Sequence, residues 1–453
     1  MNTVTSNKAD NHLLLPDLAQ YFRRFFKSEK KLLIGIEAEL LGVVSNDGRP
    51  VVYEGPSGIG DVLNDLTDHY GWNPVQEAGH TIALKKGNDE IHLEPGGQLE
   101  FSCQPYRTLQ ESFEALQRLY SNLKSVSERK NISWLELGLR PFGKAEDIPW
   151  VPKFRYQIMR NFLQERGKLA HRMMKETCTL QANLDYSSEK DAMRKMRTAM
   201  AIAPLMTGLF ANSPLLEGKV QNALSLRAQA WLETDPARCG LIPEILRDDP
   251  SFEDYVQYLL KIPMIFIMKD GKWLDAKGIT FAHFLQYGHK NYHATEEDWR
   301  LFLTTVFTDV RLNPFVELRF ADRNRLDLNI GMVTFWKGLL YDSQACDDAW
   351  SLLRDWTFQE RLELSRAAPV LGPKAAVRGK TVLEWGTELL NYAERGLKNL
   401  FACGRIDEDE TKYLEPVKIL LLEEKKCPAQ KLIHLWTRVW HEDPKKLIEY
   451  CAI

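Results

Sequence analysis

Four short segments of this chain alternate between apolar residues and residues with polar, oxygen-bearing side chains. In "IGIEAEL" Glu37 and Glu39 fall on one side, with Ile36, Ala38 and Leu40 on the other. "GGQLEF" sets Gln98 and Glu100 against Leu99 and Phe101. "TLQANLDY" sets Thr179, Gln181, Asn183 and Asp185 against Leu180, Ala182 and Leu184, and "FVELRF" sets Glu317 and Arg319 against Val316, Leu318 and Phe320. Side chains two apart on a strand share a face, so each segment fits a strand with one apolar and one polar side. One wet face is ordinary in an antiparallel sheet. An ordinary wet face also carries Lys, Ser and Thr, whereas this one is dominated by carboxylates and carboxamides. If the four strands share a sheet, the acids crowd one surface, and crowding raises their pKa values unless a cation offsets it.

The rest of the chain supports such a sheet. Of 453 residues, 44% are hydrophobic and 27% charged, a balance that permits a large buried core. "HTIALKKGNDEIHLEPGGQLEFSCQP" reads as a β-meander that turns at "KGNDE". Strands are expected in "KLLIGIEAELLGVV", "ISWLELGLRPF", "TCTLQANLDYSS", "IPMIFIM" and residues 312–322. Helices are expected over 14–29, 60–70, 108–131, 153–175 and 188–211, and at the start of 252–269. Thr108 and Glu111 have the spacing of a capping box. Beyond about residue 326 the pattern is helical to the end. Strands and helices do not alternate regularly, which predicts an α+β fold with a mainly antiparallel sheet, flanked by helices. The expected division is a catalytic part, 1–330, and a mostly helical part, 331–453, packed on it.

Several classes are disfavoured. A net charge of −3 gives no nucleic-acid footprint. No window is long and apolar enough for a membrane span. The polar start, "MNTVTSNKADNHLLLPDL", lacks the apolar run of a signal peptide. Seven scattered cysteines form no CxxC pair, as expected of a reducing cytoplasm. The Gly-rich stretch 48–60 has neither P-loop nor dinucleotide spacing.

Oxygen donors suit hard divalent cations, and Mg²⁺ commonly bridges carboxylates and nucleotide phosphates. The oxygen-rich face therefore suggests a Mg-nucleotide site. Without a P-loop, phosphate charge must be met by the metal and by basic side chains, with Arg319, Lys85, Arg160 and Arg227 as candidates.

These motifs resemble the plant-type glutamate–cysteine ligases, which also occur in bacteria. The resemblance is carried by "GIEAEL", "IALKKG", "LEPGGQLEFS", "EDIPWVPKFRYQIMRNF", "TCTLQANLDYSSEKDAMRKMRTAMAIAPLMTGLFANSP", "VELRFAD" and "FWKGLLYD", in family order from about residue 30 to 395. It implies a glutamine synthetase-like catalytic fold with the active site on one face of the sheet. The implied reaction uses ATP to phosphorylate the γ-carboxylate of glutamate, and the amine of cysteine then displaces phosphate. That is the first step of glutathione biosynthesis. By resemblance, Glu37, Glu39, Glu94, Glu100, Gln181 and Glu317 are the metal-binding set. Arg319 faces phosphate, with Lys85 and Arg238 beside the nucleotide, and Arg227, Tyr156 and Arg160 bind substrate. Arg319, Arg227 and Glu94 are the implied catalytic groups. The expected partners are small molecules, with the protein a monomer or homodimer.

One departure bears on specificity. The family commonly follows the arginine strand with a small, Gly-rich loop, but here "FADRNRLDLN" has no glycine and carries Arg323 and Arg325. Positive charge beside the site would alter the acceptor, so a related ligase joining glutamate to another amine is the alternative reading.

Overall fold

The computed structural model describes residues 13–453. The expectation of a polar, signal-free start falls largely outside the described residues. The centre of the molecule is a nine-stranded sheet. Its strands are β1 (Ile34–Val44), β2 (Asn73–Glu77), β3 (His80–Lys86), β4 (Asp89–Leu93), β5 (Leu99–Ser102), β6 (Ile132–Leu135), β7 (Leu180–Leu184), β8 (Val310–Leu312) and β9 (Val316–Leu318). They lie in the order β8-β9-β7-β1-β5-β4-β3-β2, with β6 pairing the far end of β1. Every pairing within it is antiparallel, as the α+β reading expects.

The apolar half of each alternating segment forms the core face. Ile36, Ala38, Leu40, Leu99, Phe101, Leu180, Ala182, Leu184, Val316 and Leu318 are all buried. Helices α1 (Leu15–Arg23), α2 (Ile59–Tyr70), α3 (Leu109–Glu128), α4 (Phe154–Gln164), α5 (Ala170–Glu176), α6 (Glu189–Leu209) and α7 (Leu226–Leu232) surround the sheet. Thr108 and Glu111 close the predicted capping box at the start of α3, satisfying backbone donors that the helix leaves open. The later helices α8 (Leu326–Tyr341), α9 (Ser343–Leu353), α10 (Phe358–Leu371) and α11 (Val382–Ala402) bury their apolar faces against α6 and one another. One hydrophobic cluster runs from Leu13 to Leu421, through both expected parts. The chain end returns to the sheet: Glu136 N donates to Cys451 O, and Ile453 N to Trp134 O.

Several elements differ from the sequence reading. Residues 312–322 do not form one strand. Pro314 cannot donate to a ladder, and the chain turns there, so β8 and β9 are the arms of a hairpin. The expected helix 153–175 is split into α4 and α5. At the break, a Cβ on Gly167 would lie 2.1 Å from the carbonyl oxygens of Glu233 and Thr234. "IPMIFIM" supplies strand only from Phe266, in a small separate hairpin. No described helix is long and apolar enough to cross a membrane.

Candidate active site

The register of the sheet gathers the polar halves of its strands. Glu37 lies opposite Gln181 and Ser102 on its two neighbours, and Glu39 directly opposite Glu100. Glu317 lies opposite Asn183, and Arg311 opposite Glu317. Like charges directly opposite on paired strands are destabilising. The Glu39–Glu100 pair therefore works against folding.

Glu37, Glu39, Glu94, Glu100, Gln181, Arg311 and Arg319 line a cavity of about 550 Å³. None of the four glutamates forms an ion pair among the described residues. Glu37 accepts from Asn183 Nδ2 at 2.8 Å, and Glu39 from the backbone N–H of Thr179 at 2.8 Å. Burial, then the neighbouring Glu94, pushes Glu39 up to about 8. Burial and Glu317 raise Glu37, despite its bond from Asn183. Glu100 is held well above its ordinary value by burial and then by Glu37, Glu94 and Glu39.

Glu94 and Glu100 flank the Pro95-Gly96-Gly97 corner, which is fixed by backbone contact. A Cβ on Gly96 would lie 2.2 Å from the Lys175 carbonyl oxygen, and Gly97 has φ +81°. Gln98 pins this corner. Its Oε1 accepts from Gly96 N at 2.9 Å, and its Nε2 donates to Met174 O and Thr177 O at 3.2 and 3.0 Å. It holds the strand in place instead of offering a free oxygen.

Glu317 is differently placed from the other acids. Arg311 grips both its oxygens at 2.6 and 2.8 Å, Asn313 donates at 2.9 Å, and Arg319 bonds it closely. Burial opposes its ionisation, but Arg311 and Arg319 outweigh burial and hold the carboxyl below its usual value. In this arrangement Glu317 positions two guanidinium groups. Gln181 Oε1 likewise accepts from Arg319 at 2.6 Å.

Arg319 also lines a second cavity, of about 660 Å³, and so do Trp231 and Phe307 from the first. Arg227 and Asp309 face this second space, and Phe358, Leu362 and Ser365 of α10 close one side. Arg227 donates to Phe320 O at 2.9 Å and Arg319 O at 2.6 Å, leaving a buried Nε without a partner.

The remaining expected residues fall in three places. Tyr156 is buried in the acid-lined cavity and donates to Leu93 O at 2.8 Å. Exposed Lys85 stands at its rim, with Nζ 2.6 Å from half-buried Glu90. Arg160 and Arg238 line neither cavity. Arg160 lies over the Trp150 ring at 5.8 Å. Arg238 is fully buried, paired with Asp235 at 2.8 Å and bonded to Thr305 O at 2.9 Å and to Pro263 O. Its donors are spent on the protein, so its place beside a nucleotide is corrected to a structural one. The loop reading is corrected as well. Arg323 turns inward to Glu136 at 2.5 Å and Glu39 O at 3.0 Å, while exposed Arg325 lies over Tyr450. Neither lines the cavities, so the loop puts no guanidinium group into them.

Sequence reasoning missed four residues that line the cavities. Lys153 and Arg155 sit just before and inside α4, beside the acids, and burial lowers Lys153 to about 8. Arg311 and Asp309 lie on and beside β8, on the same side as Glu317 and Arg319. Reading "NP" as a hairpin turn would have placed both there.

The acid-lined cavity suits a hard cation. Four of its glutamates lack a cationic partner, so a cation would offset their charge, and the buried Nε of Arg155 is a donor left open for an anion such as phosphate. No group of three His, Cys, Asp or Glu side chains among the described residues forms a ready-made metal cage. Mg²⁺ does not require one, since it keeps waters and shares phosphate oxygens.

Acids and arginines on one face of an antiparallel sheet are the groups that a metal-dependent phosphoryl-transfer site needs. Residues 33–450 match the sequence profile of "Glutamate-cysteine ligase family 2(GCS2)", and the chain belongs to that family. It is 36% identical over 427 residues to glutamate–cysteine ligase A, chloroplastic, of Oryza sativa subsp. japonica, covering 94% of this chain and 85% of that one. It is 37% identical over 435 residues to the chloroplastic glutamate–cysteine ligase of Brassica juncea, covering 95% and 83%. A crystal structure of the Francisella tularensis glutamate–cysteine ligase in complex with AMP has the same fold, with a TM-score of 0.58 at 15% identity, covering 94% of this chain and 88% of that one. The fold expected from the resemblance is borne out.

Proposed function

We propose that this protein is an ATP-dependent glutamate–cysteine ligase that forms γ-glutamylcysteine through a γ-glutamyl phosphate. The observation that carries this reading is the unpaired glutamate cluster beside Arg319, in a chain 35–37% identical to plant enzymes of that name. All those relatives are named for cysteine, and the loop that had suggested another amine is turned away from the cavities.

Mg²⁺, when bound, would offset phosphate charge and align ATP. Glu37, Glu39, Glu94 and Glu100 would hold it, with Gln181 and Glu317 at the border of the set. The protein's own task is placement, because phosphoryl transfer depends on positioning and charge neutralisation. Arg319, steadied by Glu317 and Gln181, stands where the two cavities meet and is placed to bind the phosphoryl group. Lys153 and Arg155 flank the acids and supply further positive charge, and Lys85 at the rim is placed for the outer phosphates. Tyr156 would hold the wall of the nucleotide cavity from Leu93, while Arg160 lies over Trp150 outside that wall. Arg227 faces the second cavity, where an amino-acid carboxylate would be neutralised.

Residues 1–330 carry this chemistry, and 331–453 contribute the α10 wall. The free cysteines suit a reducing compartment such as the cytoplasm.

The test is ADP release measured with ATP, glutamate and candidate amines, with the product identified by mass. Cysteine-dependent ADP release with a matching dipeptide supports the proposal. Release that is equal without cysteine, or greater with another amine, refutes it.

A further inference from the structure

The second cavity contains an anion that the account above does not use. Asp309 lies just before β8, and its main chain is held on both sides: its N–H donates to Gly240 O at 3.0 Å and its carbonyl accepts from Arg319 N at 3.0 Å. Its carboxylate makes no hydrogen bond or ion pair to another side chain among the described residues, although it lines a cavity of about 660 Å³. Arg227 and Arg319 line the same space. Of the cavity's other acids, Glu244 pairs with Lys261 at 3.0 Å, and Glu233 lies exposed at the end of α7. Asp309 is thus an open carboxylate lining the same space as two fixed guanidinium groups. That charge pattern matches a zwitterion, whose ammonium and carboxylate groups are a few ångströms apart.

We propose that Asp309 binds the ammonium group of an amino-acid substrate in this cavity, with Arg227 and Arg319 taking the opposite charge of the same or the adjoining substrate. The inference rests on the ligase reading, which supplies two such substrates, glutamate and cysteine. Burial pushes the Asp309 carboxyl up to about 6, against the pull of Arg227 and Arg319, so it is still ionised at neutral pH. An arriving ammonium would donate to the Asp309 carboxylate a charge-assisted hydrogen bond that the unliganded protein leaves unmade.

The test is steady-state kinetics of Asp309→Asn and Asp309→Glu, with each substrate varied in turn. Loss of a charged hydrogen bond predicts a rise of about 10- to 100-fold in KM for one amino acid in Asp309→Asn. KM for ATP should stay within about twofold, and Asp309→Glu should recover part of the loss. A rise for glutamate assigns the donor, and a rise for cysteine assigns the acceptor. The proposal is overturned if neither amino-acid KM moves more than about threefold, or if all three KM values rise together, which marks a structural role. Should the variants fail to fold, inhibition of the parent enzyme by glutarate and 3-mercaptopropionate replaces them. One analogue must then bind at least about 10-fold more weakly than its amino acid, and near-equal binding of both overturns the proposal. An inactive parent enzyme would refute the ligase reading itself. An active parent with unshifted variants refutes only the role of Asp309.

Discussion

Replacing Glu39 by Gln should stabilise the metal-free protein while removing its activity. In the folded chain Glu39 holds its proton to about pH 8, against an ordinary value of 4.5. Once unfolded, it ionises from about pH 4.5. The folded state therefore binds more protons between these values, and stability is lost as pH rises from about 4.5 to 8. At about 1.4 kcal/mol per pH unit, the gap corresponds to about 5 kcal/mol. Relaxation and water entry reduce such penalties, so about 2–3 kcal/mol is expected at pH 9. Gln keeps the acceptor for Thr179 N–H and escapes the penalty. Urea unfolding in chelator at pH 5, 7 and 9 should show an advantage for Glu39→Gln of at most about 1 kcal/mol at pH 5, rising toward a plateau above about pH 8. An advantage independent of pH, or a loss of stability at pH 9, would refute the reasoning.

Glu317→Gln removes the charge that holds Arg311 and Arg319, and breaking a buried pair costs about 3–5 kcal/mol, readable as a lower urea midpoint together with a fall in kcat. Gly96→Ala drives a Cβ into the Lys175 carbonyl and should destabilise by about 2 kcal/mol or more, with a matching drop in thermal midpoint; unchanged melting would contradict the close contact. Arg238→Gln should lower stability by about 3 kcal/mol through the orphaned Asp235, yet leave KM for ATP unchanged in the folded fraction; a selective rise in that KM would return Arg238 to the nucleotide.

The sheet face was legible because period-two alternation is a local property. β1, β5, β7 and β9 each announce their polar side, and the fold only had to align them. The opposition of Glu39 to Glu100 could not be read, since register is set by long-range pairing. Arginines were the weakest part of the reading. Arg238 and Arg227 look alike in sequence, yet one is spent on Asp235 and two carbonyls while the other reaches a cavity. An aspartate three residues before Arg238 was the available signal. Asp309 and Arg311 were overlooked because a strand was drawn through Pro314, which hid the hairpin that brings them opposite Arg319 and Glu317.

The central claim is that the glutamates of the open sheet face hold the divalent cation with the nucleotide. Mn²⁺ binding followed by electron paramagnetic resonance, with and without ATP, tests it in the parent protein and in the Glu39→Gln/Glu100→Gln double variant. The parent should bind Mn²⁺ more tightly when ATP is present, and the double variant should lose at least about 10-fold in that affinity while remaining folded. Equal Mn²⁺ binding by the two folded proteins would contradict the account.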